Sequence, residues 1–345
     1  MRYLNLLLLA VPLAIYMEFT HANEAAIFLM TLLAIVPLAA VLGKATEELA
    51  VHTGPRVGGL INATLGNAAE LIITILALRE GLIAVVKASL AGSILGNILL
   101  VLGLSAFIGG LKHKKLCFSE CVANLNTSLL LMIVTALSVP AIFSFSGHIS
   151  PDHLQTLSLW TAVGLVFIYL TSMVFSFKTH RYLFHIEHAA HESEWSLGKS
   201  LGIMILSVVA IVVMSEILVT SLRPATAILG LSEIFVGLIL VPIVGNAAEH
   251  SAAVLMALKN KMNIALEIAV GSSVQIALFV APVLVFLGYF FGHPMNLLFT
   301  PLEILCIILA IVVVNNMVRD NETDYLEGLI LFVTYLLISV GFFLL

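Results

Sequence analysis

Charge is what this sequence has least of. Asp, Glu, Lys and Arg make up 10% of the 345 residues, against roughly 25% in soluble domains. So few charged side chains cannot cover a water-facing surface, which excludes a soluble domain of any size. The 15 Lys and Arg residues form no block suited to nucleic acid, and the net charge is -5. Cysteine is nearly absent too. Cys117, Cys121 and Cys306 are an odd number and make no disulfide framework. Cys117 and Cys121 share a helix face, but no His or Cys partners complete a metal set. The two tryptophans, Trp160 and Trp195, sit near the ends of apolar runs, where amphipathic rings mark a membrane interface.

What the chain has is apolar length. Hydrophobic residues make up 61% of it, in runs of about 20, enough to cross a bilayer core. The pattern predicts an all-α integral membrane protein of about eleven transmembrane helices. Residues 1–26 hold an extra N-terminal helix; 27–178 and 199–345 hold five spans each; 179–198 is a cytosolic linker. Arg2 and the run from Leu4 to Tyr16 also fit a signal peptide, but the same style continues in the next spans, which favours a retained helix. With the N-terminus cytoplasmic, only Arg79, Lys87 and Arg223 of the 15 Lys and Arg fall outside. The remaining twelve obey the positive-inside rule. The C-terminus is then outside, and the expected location is a prokaryotic cytoplasmic (inner) membrane.

One phrase occurs twice: Gly66-Asn67-Ala68-Ala69-Glu70 and Gly245-Asn246-Ala247-Ala248-Glu249. The register that aligns the two also places Gly92-Ser93 on Gly271-Ser272. In the topology above the copies run in opposite directions, so 27–178 and 199–345 are expected to be inverted repeats. Secondary transporters place their sites at the interface of such repeats, near the midplane, and helix rise puts both glutamates near the middle of a ~30 Å core.

Each motif offers a carboxylate and, three residues earlier, an amide, which a continuous helix would put on one face. The glycines Gly66 and Gly245 let backbones approach and permit a local break. Carboxylate, amide and carbonyl oxygens are hard ligands. Two such sets, from Glu70, Asn67, Gly66 and Glu249, Asn246, Gly245, suit the 6–8 oxygens that Ca²⁺ takes. Ser93, Asn97, Ser272 and Gln275 add polar atoms from neighbouring spans. Two anions balance one divalent cation; without it, burial and mutual repulsion favour a proton on each. A site that holds either Ca²⁺ or protons is an exchanger. The plainer alternative is a structural hydrogen-bond clamp between helices.

These residues resemble the calcium/proton exchanger family of the cation/calcium exchanger superfamily. The similarity covers nearly the whole chain. It includes Ala45-Thr46-Glu47-Glu48, Gly59-Leu60-Ile61-Asn62-Ala63-Thr64-Leu65, Ser93-Ile94-Leu95-Gly96-Asn97, Val241-Pro242-Ile243-Val244 and Gly271-Ser272-Ser273-Val274-Gln275-Ile276. The resemblance implies that Glu70 and Glu249 hold Ca²⁺ with backbone oxygens at Gly66 and Gly245. It also implies that Ca²⁺ leaves the cytosol in exchange for protons. Sodium/calcium exchangers of the superfamily usually carry Thr and Ser where this chain has Asn67-Ala68 and Asn246-Ala247, which argues against sodium coupling.

Other polar residues have two readings each. Glu216 and His250 are candidates for a proton path or for local packing. His188, His191 and Glu192 form either a solvated linker or a pH-sensing regulatory element. The protein is expected to be no enzyme and to need no cofactor, with Ca²⁺ as transported ion and H⁺ as counter-ion. Its partners are the lipid bilayer and these ions, without nucleic acid; a homo-oligomer is open. K⁺ or Na⁺ exchange for H⁺ is the alternative, and a cation channel would need a continuous polar path that the charged residues, gathered at span ends, do not supply.

Overall fold

In lipid the backbone has no water to bond, so a spanning segment satisfies itself as a helix. The computed structural model of the chain describes residues 6–180 and 193–345, without the side chains at 55–57, 59, 60, 62, 63, 121, 122 and 177. His188, His191 and Glu192 lie outside the described residues. In chain order the helices are α1 Ala10–Phe19, α2 Glu24–Leu65, α3 Ala68–Arg79, α4 Ile83–His113, α5 Glu120–Phe145 and α6 Pro151–Val174. They continue as α7 Leu197–Leu229, α8 Glu233–Gly245, α9 Ala247–Leu258, α10 Met262–Phe290, α11 Pro301–Met317 and α12 Tyr325–Phe343.

Local chemistry sets the boundaries. Ser150, Ser196, Ser232, Thr300 and Asp324 cap the starts of α6, α7, α8, α11 and α12 with side-chain oxygens. At α11 the cap is reciprocal: Thr300 and Glu303 each bond the other's backbone, with Pro301 in the first turn, the capping-box arrangement. Gly54 breaks α2 with φ 79° and ψ 170°, a conformation open to glycine and suited to the residue before a proline.

Among the described residues, eight helices are long and apolar enough to cross a membrane, and the bent pair α8–α9 makes a ninth if counted as one span. This is a multi-pass membrane protein. Two of the eleven expected spans fall short of that measure. α1 has 10 residues, and the apolar run that carries the first motif is split by the break between α2 and α3, leaving α3 with 12.

Packing divides the chain into two units that cut across its sequence halves: Met1–Val85 with His185–Glu249, and Val86–Phe184 with His250–Leu345. In the first, α2 lies along α7, and α3 and α8 pack beside them. In the second, α4 crosses α12 at glycines. A Cβ on Gly103 would stand 2.8 Å from the Phe332 nitrogen, and one on Gly328 would collide with the Phe107 nitrogen. Small residues give membrane helices such backbone-to-backbone contact. A two-stranded strap, Leu116–Cys117 against Glu322–Thr323, ties the α4–α5 loop to the α11–α12 loop. Lys115 and Glu322 pair on it, and the Glu322 carboxylate holds the exposed Lys115 ammonium above its ordinary value.

The stretches around the two motifs match in their helix boundaries. The shift that carries Gly66 onto Gly245 carries α3 onto α9, the start of α4 at Ile83 onto that of α10 at Met262, and Val101 onto Val280. Those last two residues each end a π-helical turn, Gly96–Val101 in α4 and Ile276–Val280 in α10. π-turns recur at functional sites, and these begin three residues after Ser93 and four after Ser272.

Candidate functional site at two helix breaks

Both motifs sit where a helix stops and restarts. Asn67 has φ −94° and ψ 21°, and Asn246 has φ −103° and ψ 11°. Each is in the sparsely used bridge region. A new helix begins at Ala68 and at Ala247, the second bent by 60° from α8. The asparagines are therefore not on a helix face with the glutamates, as their spacing predicts for a continuous helix. They occupy the break, and Glu70 and Glu249 stand in the first turn of α3 and of α9. The physical cause is the Gly-Asn pair, whose residues tolerate non-helical backbone better than any apolar residue nearby.

The break has electrostatic consequences. The end of each incoming helix leaves carbonyls without intrahelical partners. Some are reused, since the Asn246 amide donates to Pro242 O at 3.0 Å. The start of each outgoing helix presents its positive dipole end to the carboxylate. Carbonyl oxygens, amides and two carboxylates thus gather at the breaks, the environment that transporters with discontinuous helices use for cations.

Glu70 is 1% exposed, and both of its carboxylate oxygens are buried. Its polar neighbours come from the other motif: the Glu249 carboxylate and the Asn246 amide. Asn67 and Asn246 are buried as well, at 4% and 2%. Gly245 completes the approach, for a Cβ there would lie 3.7 Å from Glu70 Cβ. The alanines let neighbours close in: Gly43 of α2 would place a Cβ 3.8 Å from that of Ala248. Among the described residues no cluster of three or more His, Cys, Asp or Glu forms.

Ser93, Asn97, Ser272 and Gln275 belong to the second unit. There Asn97 Nδ2 donates to Ser272 Oγ at 3.0 Å; Ser93 is fully buried, and Gln275 is half-buried on α10. His250, next along α9, keeps Nε2 buried without a hydrogen-bond partner among the described residues. Glu216 is engaged otherwise. Arg79 Nη2 donates to its Oε1 at 2.5 Å, and both side chains are about half exposed, so an ion pair at the end of α3 replaces the lone intramembrane carboxylate that the sequence suggests.

Two polar groups differ from the sequence reading, which leaves Glu48 between lining a cation entry and facing the headgroups and passes over Glu267. Glu48 accepts hydrogen bonds from Ser193 Oγ at 2.8 Å and the Trp195 amide at 3.1 Å. Lys44 pairs with Glu194 at 2.8 Å, and Lys44 and Lys199 both lie over the Trp195 ring. The chain leading into α7 is thereby fastened to α2. The second is Glu267, half-buried in α10; a census of carboxylates inside apolar runs would have found it.

Paired helix breaks with a carboxylate in the first turn after each define a class, that of secondary transporters built from repeats. The chain matches the model of the sodium/calcium exchanger protein family twice, over residues 23–178 and 199–344. It is 43% identical over 354 residues to the Ca²⁺/H⁺ antiporter of Aphanothece halophytica, covering 98% of this chain and 95% of that protein. It is 42% identical over 342 residues to the Ca²⁺/H⁺ antiporter ChaA of Bacillus subtilis (strain 168), covering 97% of each. The crystal structure of the Ca²⁺/H⁺ antiporter YfkE matches with a TM-score of 0.87 at 39% identity, over 100% of both chains. The chain belongs to the sodium/calcium exchanger protein family.

Proposed function

We propose that this protein exports Ca²⁺ from the cytosol in exchange for protons by alternating access, with Glu70 and Glu249 as the carboxylates that hold either cargo. The observation that carries this is the pair itself: two carboxylates at equivalent helix breaks, each other's neighbours, with Glu70 buried. Such a pair is stable when a divalent cation or protons neutralise it, which makes the two cargoes compete. Asn67, Asn246 and the carbonyls at Gly66 and Gly245 supply neutral oxygens, and Ser93, Asn97, Ser272 and Gln275 supply polar atoms to the pathway. The relatives named for Ca²⁺/H⁺ exchange favour Ca²⁺ over K⁺ or Na⁺.

The topology proposed with it has about eleven spans in a cytoplasmic membrane, N-terminus inside and C-terminus outside. An N-terminal helix precedes two inverted five-helix repeats. The double match of the family model and the recurrence of α3–α4 in α9–α10 support this reading. Everted vesicles loaded with a proton gradient test the function. Added Ca²⁺ is expected to collapse the gradient, and Glu70→Gln or Glu249→Gln to abolish the response. Ca²⁺-driven proton movement that survives either substitution overturns the proposal.

A further inference from the structure

Three connections of the second unit are bound together at one end. The last turns of α4 lie against the last turn of α9: a Cβ on Gly109 would stand 3.1 Å from Ala257 O. Lys112 Nζ donates to Leu258 O at 3.0 Å, and His113 Nε2 donates to the same oxygen at 2.9 Å. Such donors suit a helix C-terminus, where carbonyls lack partners. Asn263 Oδ1, in the first turn of α10, accepts the Ser119 amide at 2.6 Å, and the strap adds the α11–α12 loop. The α9–α10 turn is itself tight: Asn260 has φ 59°, and the Lys261 amide returns to Met256 O at 2.9 Å.

This bracing gathers lysines. Lys112, Lys114 and Lys115 come from the end of α4 and the chain after it, Lys259 and Lys261 from the α9–α10 turn, and all five are exposed. Lys115 is paired with Glu322. Lys114, Lys259 and Lys261 have neither an ion pair nor a side-chain hydrogen bond among the described residues. The carboxylates of these connections are engaged elsewhere. Glu322 holds Lys115, Asp320 accepts the Glu322 amide, Asp324 caps α12, and Glu120 stands at the positive start of α5. Apolar surface lies beside the charge: Leu111, next to Lys112, and Leu255, one turn before Lys259, are both exposed. The positive-inside rule accounts for basic residues at this end. It does not account for their being joined across two connections through one carbonyl.

We propose that this cluster docks the phosphate of an anionic phospholipid from the adjoining leaflet, with Lys112, Lys259 and Lys261 at its centre and Lys114 adding charge. In the topology proposed above that leaflet is the cytoplasmic one. The site lies within the second unit and does not depend on the exchange reading. Lys112 spends one of its three ammonium protons on Leu258 O, and the turn lysines spend none on the protein. A phosphodiester accepts such charge-assisted bonds from several ammoniums at once. The occupant is a lipid because α4 and α10 are membrane-spanning helices and Leu111 and Leu255 offer its chains apolar surface beside the lysines. A soluble anion would use the charge alone. Basic clusters at the cytoplasmic ends of membrane helices hold acidic headgroups in this way. A bound headgroup links the end of α4 to the α9–α10 turn a second time and stabilises the folded state by mass action.

Purified full-length protein in a neutral detergent tests this. Short-chain phosphatidylglycerol is expected to raise the melting temperature, and phosphatidylcholine with the same chains to raise it less. In Lys259→Gln/Lys261→Gln the half-saturating phosphatidylglycerol is expected to rise about 30-fold, about 5-fold for each lysine. Lys259→Arg/Lys261→Arg keeps both charges and is expected to stay near wild type. Lys178→Gln/Lys199→Gln removes two charges from the chain just past α6 and from the start of α7, and is expected to leave the value within about 2-fold. Equal protection by the two lipids overturns the inference. So does an equal shift in the Lys178/Lys199 variant, which would reduce the cluster to general surface charge. Inorganic phosphate that protects as well as phosphatidylglycerol at the same concentration makes the ligand a free anion and overturns it too.

Discussion

Gly245 turns its bare α-carbon to Glu70. A Cβ there would sit 3.7 Å from Glu70 Cβ and 3.8 Å from its Cα, with Ile73 Cδ1 at 4.0 Å. One methyl is ordinary contact, whereas a branched side chain must push Glu70 aside, and overpacking costs about 1–3 kcal/mol. Gly245→Ala is expected to keep Ca²⁺-driven proton flux within about 10-fold of wild type, and Gly245→Val to lose most of it. Everted-vesicle assays at matched protein levels measure both. Equal flux from the Val variant would show that Glu70 does not need this space.

Asn246 reaches across from its own motif to Glu70 and is 2% exposed. Its role as a neutral oxygen donor predicts that Asn246→Ala weakens Ca²⁺ binding about 5- to 150-fold, the equivalent of the 1–3 kcal/mol that a lost buried polar partner costs. Calorimetric titration of purified protein reads this directly. A variant that binds Ca²⁺ as tightly as wild type, with an unchanged melting temperature, removes Asn246 from the site.

Much of this was legible in the sequence. Apolar run length announced the long spanning helices, of which eight meet that measure among the described residues, because in lipid a long apolar run has no alternative to a helix. The duplicated motif identified Glu70 and Glu249. Geometry at the motif was not legible. Asn-Ala-Ala-Glu reads equally as a helix face or as a helix start, and only the bridge conformations of Asn67 and Asn246 decide for a start. The pairing of Glu216 was not legible because its partner, Arg79, is 137 residues away in sequence. Glu267 was passed over because it has no duplicate.

Glu216 provides a negative test of the proton path. Its bond to Arg79 is half exposed, and such pairs contribute about 0–1 kcal/mol. Glu216→Gln is expected to leave the number of protons exchanged per Ca²⁺ unchanged and to alter stability by no more than about 1 kcal/mol. Parallel Ca²⁺ and proton flux measurements check the ratio. A changed ratio would return Glu216 to the transport route.

The strap carries a pH signature. Glu322 raises the Lys115 ammonium above its ordinary value, so the pair contributes stability that is complete below the unfolded lysine value of about 10.4. That contribution is lost as pH rises through the higher folded value. The melting-temperature gap between wild type and Lys115→Gln is therefore expected to be constant near neutrality and to close in strongly alkaline solution. A gap that widens with pH contradicts the pairing.

Lys87 fixes the loop between α10 and α11. Its ammonium holds Asn296 Oδ1 and Leu298 O; the same Asn296 oxygen accepts the Leu298 amide at 3.2 Å. Glu303, 2% exposed and tied to Thr300 N at 2.8 Å, offsets the charge nearby. Lys87→Met matches the length and the apolar stem but supplies no donor. It strands one carbonyl and half-strands one amide, at about 1–3 kcal/mol. The expected result is faster amide hydrogen exchange at residues 293–299 and a lower melting temperature, with cytosolic Ca²⁺ half-saturation unchanged, because the loop belongs to the outer limb in the proposed topology. Slow exchange in that loop despite the substitution would show that Thr300 and Glu303 hold it without Lys87.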